Sequence, residues 1–148
     1  METKIIIANK NHLQELTKMA LDLWPDNSYE ELFEDLKKLM DKYKNIFLLS
    51  VTDGIISGFI HMSIRTDYVE GAHSSPVGYI EGIYVKPQFR RRGVGRLLVK
   101  GGEAWAKAKG CSQVGSDIEI DNNTSYDFHR KIGFMEANRL ISFIKDID

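Results

Sequence analysis

The sequence predicts one domain of the α/β (α+β) class, a mixed central sheet with element order β-α-α-β-β-β-α-β-α-β. Three observations carry this. Two segments with apolar residues three or four apart precede three consecutive β-rich runs, an arrangement foreign to an all-parallel sheet. Asp53-Gly54 between two of those runs is a good hairpin turn. The third run, 77–85, leads into a basic loop with two glycines that opens a further helical stretch. With 148 residues the chain fits a single domain, 1–148, large enough to bury a core without staples.

The elements follow in order. Residues 4–8 read as a short strand. Asn11 can cap a helix with the stripe Leu13, Leu16, Ala20 and Leu23, which Pro25 stops. Ser28 with Glu31 is a capping-box start for a second helix, with the stripe Leu32, Phe33, Leu36, Leu39 and Met40. Residues 46–52 and 55–65 form the hairpin, 66–76 a loop, and 77–85 the strand before the basic loop. The next helix, 96–109, takes its packed side from Leu97, Leu98, Gly101, Trp105 and Ala108. A strand at 113–118, a short helix at 124–132, a turn at Gly133-Phe134 and a closing strand at 140–144 complete the chain.

Net charge is −1, so the molecule as a whole does not seek polyanions. The charge is unevenly spread. Residues 86–110 hold eight Lys or Arg and one Glu, while 115–127 hold Asp117, Glu119, Asp121 and Asp127 with no base. A basic patch beside an acidic one suits an anionic cofactor and a cationic second substrate. The single cysteine, Cys111, excludes an internal disulfide and agrees with a reducing cytoplasm. It has no neighbouring His in sequence and reads as structural. The N-terminus lacks the apolar core of a signal peptide, and no run approaches the ~18 apolar residues of a membrane span.

The loop Arg90-Arg91-Arg92-Gly93-Val94-Gly95 is the most informative segment. A strand, a glycine-bearing loop and a helix start form an anion site: backbone N–H groups point outward and the helix N-terminus adds positive charge. Gly93 and Gly95 permit a tight turn and close approach, and the arginines supply forked donors for phosphate. The loop is neither a Walker A motif nor a full dinucleotide fingerprint. Two carboxylates stand out in strands. Glu81 interrupts the apolar run 79–85, where a carboxylate is rare unless paired or functional. Asp117 lies at the end of the next strand, where open α/β sheets gather ligands.

Arg90-x-x-Gly93-x-Gly95 resembles the Gln/Arg-x-x-Gly-x-Gly/Ala signature of the GNAT acyltransferases, and the element order is similar across the whole chain. The resemblance implies acetyl-CoA as cosubstrate, with its pyrophosphate on Arg90, Arg91, Arg92, Gly93, Val94, Gly95 and Arg96. It implies that the pantetheine arm lies in a splay between strands four and five, along the backbone N–H groups of Ile83 and Val85. Asn122 matches a position that often contacts this arm. His129 stands where many members carry a tyrosine as acid for the leaving thiolate, a departure from that pattern. Transfer to an amine needs positioning, a route for a proton and donors near the carbonyl. Glu81 and Asp117 are the candidates to bind the ammonium or take its proton, and which is the base stays open. No metal is expected.

A closer resemblance is distributed along the chain. Trp24-Pro25, Ile64-Arg65-x-Asp67-Tyr68-Val69-x-Gly71, Ser74-Ser75-Pro76-Val77, Glu81-Gly82-Ile83, Gly110-Cys111 and Ser116-Asp117 together look like the short aminoglycoside 6'-N-acetyltransferases. This implies a substrate cleft lined by Trp24, Tyr68, Glu81 and Asp117, with Asp67 and Glu70 nearby. It also implies antibiotic resistance as the outcome and a homodimer as the assembly. Asn138 stands where some relatives carry a further acid after the Gly-Phe turn. Two alternatives stay open on the sequence: a GNAT enzyme for another cationic amine (a polyamine, a peptide N-terminus or a lysine), and a non-catalytic acyl-CoA sensor. The net charge and the lack of interleaved exposed aromatics argue against nucleic acid.

Overall fold

The computed structural model describes residues 2–148. Strand β1 (Thr3–Ile7) leads through a 3-10 turn to α1 (Leu13–Leu23) and α2 (Tyr29–Met40). Then come β2 (Asn45–Thr52), β3 (Ile55–Arg65) and β4 (Val77–Val85). A second 3-10 turn precedes α3 (Val94–Ala108), β5 (Val114–Gly115) and α4 (Asn123–Lys131). The sheet order is β1-β2-β3-β4-β5. β1 to β4 are antiparallel neighbours, and β5 runs parallel to β4, so the sheet is mixed as expected.

Alternation along the strands makes the two faces. Phe47, Leu49, Phe59 and Tyr84 pack with α1 and α2 in one core. Leu48, Ile60, Met62 and Ile80 pack on the other face with Val94, Leu98, Val99 and Ala106 of α3. The β2–β3 turn has Asp53 at φ 49° and Gly54 at φ 82°, the left-handed pair that a two-residue hairpin needs. Ser28 caps α2 by accepting the Glu31 N–H at 3.2 Å. α1 stops at Leu23, with Trp24 as its C-cap before Pro25.

Several local expectations are corrected. Asn9, not Asn11, is the cap near α1. It closes a 3-10 turn at Lys10–His12 that hands the chain to the helix. α3 begins at Val94 and not at 96, because Gly93 in the left-handed region at φ 81° is its N-cap. Its buried side is Val94, Leu98, Val99, Gly102 and Ala106, one step round from the expected stripe, and Leu97 is exposed. Gly102 explains the rotation. A Cβ there would meet the Met62 thioether at 2.8 Å, so the helix lies closest to the sheet along that line. β5 is two residues long rather than six. Residues 140–144 form no strand within this chain: Leu140, Ile141, Phe143 and Ile144 extend into solvent.

The short β5 creates the opening that the resemblance implied. β4 pairs with it only at Gly78↔Val114 and Tyr79↔Gly115, and beyond these the two segments part. On its other side β4 stays paired with β3, but the register steps from His61↔Gly82 to Met62↔Ile80 and leaves Glu81 as an extra residue. Glu81 therefore sits in a β-bulge, a device that re-aims side chains beside sites. The bulge also reverses the alternation. Ile80 faces α3 before it, and Ile83 and Val85 face the same core after it.

Candidate active site

The sheet places the two strand carboxylates on either side of this opening, Glu81 in the bulge of β4 and Asp117 two residues past the end of β5. Glu81 is half-buried and heavily hydrogen-bonded. Ser63 Oγ donates to its Oε2 at 2.5 Å. Arg65 donates through Nη2 to Oε1 at 2.9 Å and through Nε to Oε2 at 3.1 Å, a two-pronged pairing. Burial presses against the charged form of Glu81. The hydrogen bonds from Arg65 and Ser63, and then the charge of Arg65, outweigh it and hold the carboxyl below its ordinary range. Glu81 is an anion at neutral pH.

Arg65 also lies flat on Tyr79, its guanidinium carbon 3.5 Å from the ring centroid. The Tyr79 hydroxyl donates to Asp117 Oδ2. Burial, then the bond to Asp117, pushes the Tyr79 phenol well up, so it stays protonated and able to donate. Beneath this layer His61 is buried, stacks on Phe47 with centroids 4.2 Å apart, and donates from Nε2 to Asn45 Oδ1 at 2.8 Å. Burial lowers its pKa to about 4 against an opposing pull from Glu81, so the ring is neutral at working pH. Sequence reasoning missed His61, Ser63, Arg65 as a clamp, and Tyr79. The signal was the in-phase spacing of 63 and 65 opposite 79 and 81, which becomes readable only once the β3–β4 register is known.

Trp24 covers the neighbouring stretch of β4. A Cβ on Gly82 would lie 2.6 Å from two carbons of its indole, so the ring rests directly on the backbone beside Glu81. Its other edge meets Phe59 at 6.4 Å between centroids. Tyr68 is 78% exposed on the 66–76 loop, an unencumbered aromatic face. Its phenol is raised by the charge of Glu70 and then by a hydrogen bond to it. Asp67 and Glu70 are exposed on the same loop.

The basic loop takes the expected shape with a division of labour. Gly93 needs its φ of 81°, and a Cβ there would meet nothing within 4 Å. Gly95 is needed for space: a Cβ would come within 3.2 Å of the Phe128 ring on α4. Arg91 adopts φ 64°, so consecutive turns of the loop bring the α3 N-terminus round. Arg90 turns back to the strand, its Nε donating to the Val85 carbonyl at 2.7 Å and its guanidinium over Tyr84 at 5.4 Å. Arg91, Arg92 and Arg96 are exposed around the α3 N-terminus. Ile83 and Val85 lie along the edge of β4 that β5 has left. This loop, helix start and open edge fit a pyrophosphate with an extended arm.

His129 and Asn122 are both engaged internally. His129 Nδ1 donates to the Ser125 carbonyl at 2.7 Å, and Nε2 accepts from Ser116 Oγ at 2.8 Å. Its ring stands edge-on to Phe128 and Phe134, so it ties α4 to the segment leading to Asp117. Asn122 Oδ1 caps α4 through the Ser125 N–H at 3.1 Å. Cys111 is buried, and burial raises its thiol, as a structural cysteine requires.

Comparison with known proteins agrees with this geometry. The profile of the acetyltransferase (GNAT) family matches residues 11–134. An aminoglycoside N(6')-acetyltransferase type 1 from Acinetobacter haemolyticus is 38% identical over 141 residues, covering 95% of this chain and 97% of that protein. Its counterpart from Stenotrophomonas maltophilia is 39% identical, covering 85% and 82%. The structure of AAC(6')-Iy in complex with the bisubstrate analogue CoA-S-monomethyl-acetylneamine superposes with a TM-score of 0.94 at 34% identity, over 99% of this chain and 100% of that one.

Proposed function

This chain belongs to the acetyltransferase (GNAT) family, and we propose that its open β4–β5 edge is where an aminoglycoside is acetylated. It is an aminoglycoside 6'-N-acetyltransferase. It transfers acetyl from acetyl-CoA to the 6'-amine by direct attack of the amine in a ternary complex, which confers resistance. The whole span 1–148 acts as one domain. The observation that carries the reading is the placement of Glu81 and Asp117 on either side of the opening whose far end is the Arg90–Arg96 loop. That puts anionic groups for a polycation next to a cradle for an anion.

The roles follow from the contacts. The α3 N-terminus, Gly93, Val94 and Gly95, with Arg91, Arg92 and Arg96 around it, would hold the pyrophosphate. Arg90 secures the loop to β4. Ile83 and Val85 offer the backbone edge for the arm, and Asn122 and His129 fix the α4 side of it. Acetyl-CoA supplies an already activated thioester. The protein's part is to orient the amine and accept its proton. Trp24 and Tyr68 offer flat faces to sugar rings, while Glu81, Asp117, Asp67 and Glu70 offer charge to ammonium groups. Glu81 has both oxygens engaged by Arg65 and Ser63, so it serves as a fixed anionic anchor. Asp117 has one oxygen outside its bond to Tyr79 and is the better placed proton acceptor.

We further propose a homodimer in the cytoplasm. The apolar tail supports the first: Phe143 is 90% and Ile144 98% exposed in a single chain, surface that a second copy's sheet edge would cover. The single buried thiol, which needs no oxidising compartment, supports the second. Removing residues 139–148 should convert a dimer to a monomer on size exclusion with light scattering. A monomeric full-length chain would refute the assembly.

The reaction is tested by thiol release from acetyl-CoA with two matched aminoglycosides, one bearing a 6'-amine and one a 6'-hydroxyl. Release with the first alone is expected. Equal release with both would move the site of attack, and release with neither would overturn the reading.

A further inference from the structure

Glu81 and Asp117 are not joined by the sheet, whose β4–β5 ladder ends at Tyr79 and Gly115. They are joined by side chains. Arg65 grips Glu81 with two nitrogens, lies 3.5 Å above the Tyr79 ring, and the Tyr79 hydroxyl reaches across to Asp117. Asp117 itself is exposed and follows a strand of only two residues. A carboxylate so placed has little backbone support, and an exposed side chain samples several rotamers.

We propose that Tyr79 is a positioning residue for acetyl transfer: its hydroxyl fixes Asp117, and its ring, clamped under Arg65, locks that carboxylate to Glu81 as one rigid pair. The proposal rests on the functional reading above and deepens it. The geometry favours it in three ways. Tyr79 is buried with Val69 and Val77, so its hydroxyl cannot wander. The cation on its ring face strengthens the hydroxyl as a donor. The bond occupies one Asp117 oxygen and leaves the other for an incoming ammonium. Tyr79 is the last β4 residue paired to β5, so it grips Asp117 from the point where the opening starts. Small errors in such placement are costly, since a reacting group displaced by about 1 Å can lose about 100-fold in rate.

The test is a double-mutant cycle with Tyr79→Phe and Asp117→Ala, read by steady-state thiol release. Tyr79→Phe keeps the ring, its packing on Val69 and Val77, and the Arg65 stack. Only the hydroxyl is lost. We expect kcat/KM for the 6'-amine drug to fall about 10-fold, with the KM for acetyl-CoA unchanged. In the Asp117→Ala background the same substitution should have no further effect. A structural role for the hydroxyl would give additive losses and overturn the proposal. So would wild-type kinetics in Tyr79→Phe, or in Asp117→Ala. If the unaltered protein released no thiol with any aminoglycoside, the functional reading would fall and this one with it. Turnover in the unaltered protein with no coupling in the cycle would remove only the role of Tyr79.

Discussion

The indole of Trp24 rests on the backbone of Gly82, so close that no side chain fits between them. Gly82 follows Glu81, so the aromatic face and the anionic anchor are set by adjacent residues of one strand. Gly82→Ala should push the indole off its seat. The Cβ would overpack against ring carbons, at about 1–3 kcal/mol in stability. Because Trp24 is proposed to face the drug, its KM should rise about 10-fold while that for acetyl-CoA stays put. Unchanged drug kinetics would separate Trp24 from substrate binding.

Glu81→Gln removes a charge without changing shape. The amide can still accept from Ser63, but Arg65 loses its carboxylate partner in a half-buried place. The expected result is a fall in kcat/KM of about 100-fold or more with cooperative melting retained. Wild-type turnover would show that Glu81 is a structural ion-pair partner only.

His61 makes stability depend on pH. Its folded pKa is about 4 against an ordinary 6.5, so between those values the unfolded chain binds more protons than the folded one. Stability is therefore full above pH 6.5 and falls as pH drops towards 4. The loss at pH 5 relative to pH 7 is about 2 kcal/mol for this one group. His61→Gln keeps a donor for Asn45 and should flatten the slope between pH 7 and 5 in urea unfolding. The same slope in both proteins would place the effect elsewhere.

Gly93→Ala and Gly95→Ala should fail in different ways. The first puts a side chain at φ 81° in open space and costs about 1–2 kcal/mol of backbone strain, with α4 undisturbed. The second leaves the backbone content and pushes on Phe128, so it should loosen α4 and its His129 contacts. Amide exchange across 123–131 distinguishes them: faster in Gly95→Ala, unchanged in Gly93→Ala.

Local signals in the sequence located most of the elements. Ser28, Asp53-Gly54 and Pro25 act within a few residues, so their turns and ends fall where the sequence puts them. The face of α3 depends on Gly102 meeting Met62, a contact with a residue forty positions away, and so lies one step round from the stripe that local periodicity predicts. The strand at 140–144 has the right composition, but a strand needs a partner edge, and the segment pairs with none of the edges of this sheet. In the site, Glu81 and Asp117 were visible as carboxylates out of place in strands. Ser63, Arg65 and Tyr79 were not, because ordinary polar and aromatic residues become a clamp only through cross-strand register.

The extra residue at Glu81 divides β4 into two reading frames. Tyr79 and Ile80 count faces one way, and Ile83, Tyr84 and Val85 count them the other. Substitutions within either half are local events. Losing one residue between 80 and 82 is not, for it would remove the bulge. Ile83 and Val85 would keep facing α3, opposite Ile60 and Gly58, but the ladder would become regular and leave no residue standing out of the alternation as Glu81 does. The aim of the anionic anchor therefore depends on the length of the strand. The 66–76 loop beside it carries no such count, so there the chain can change length without removing the bulge.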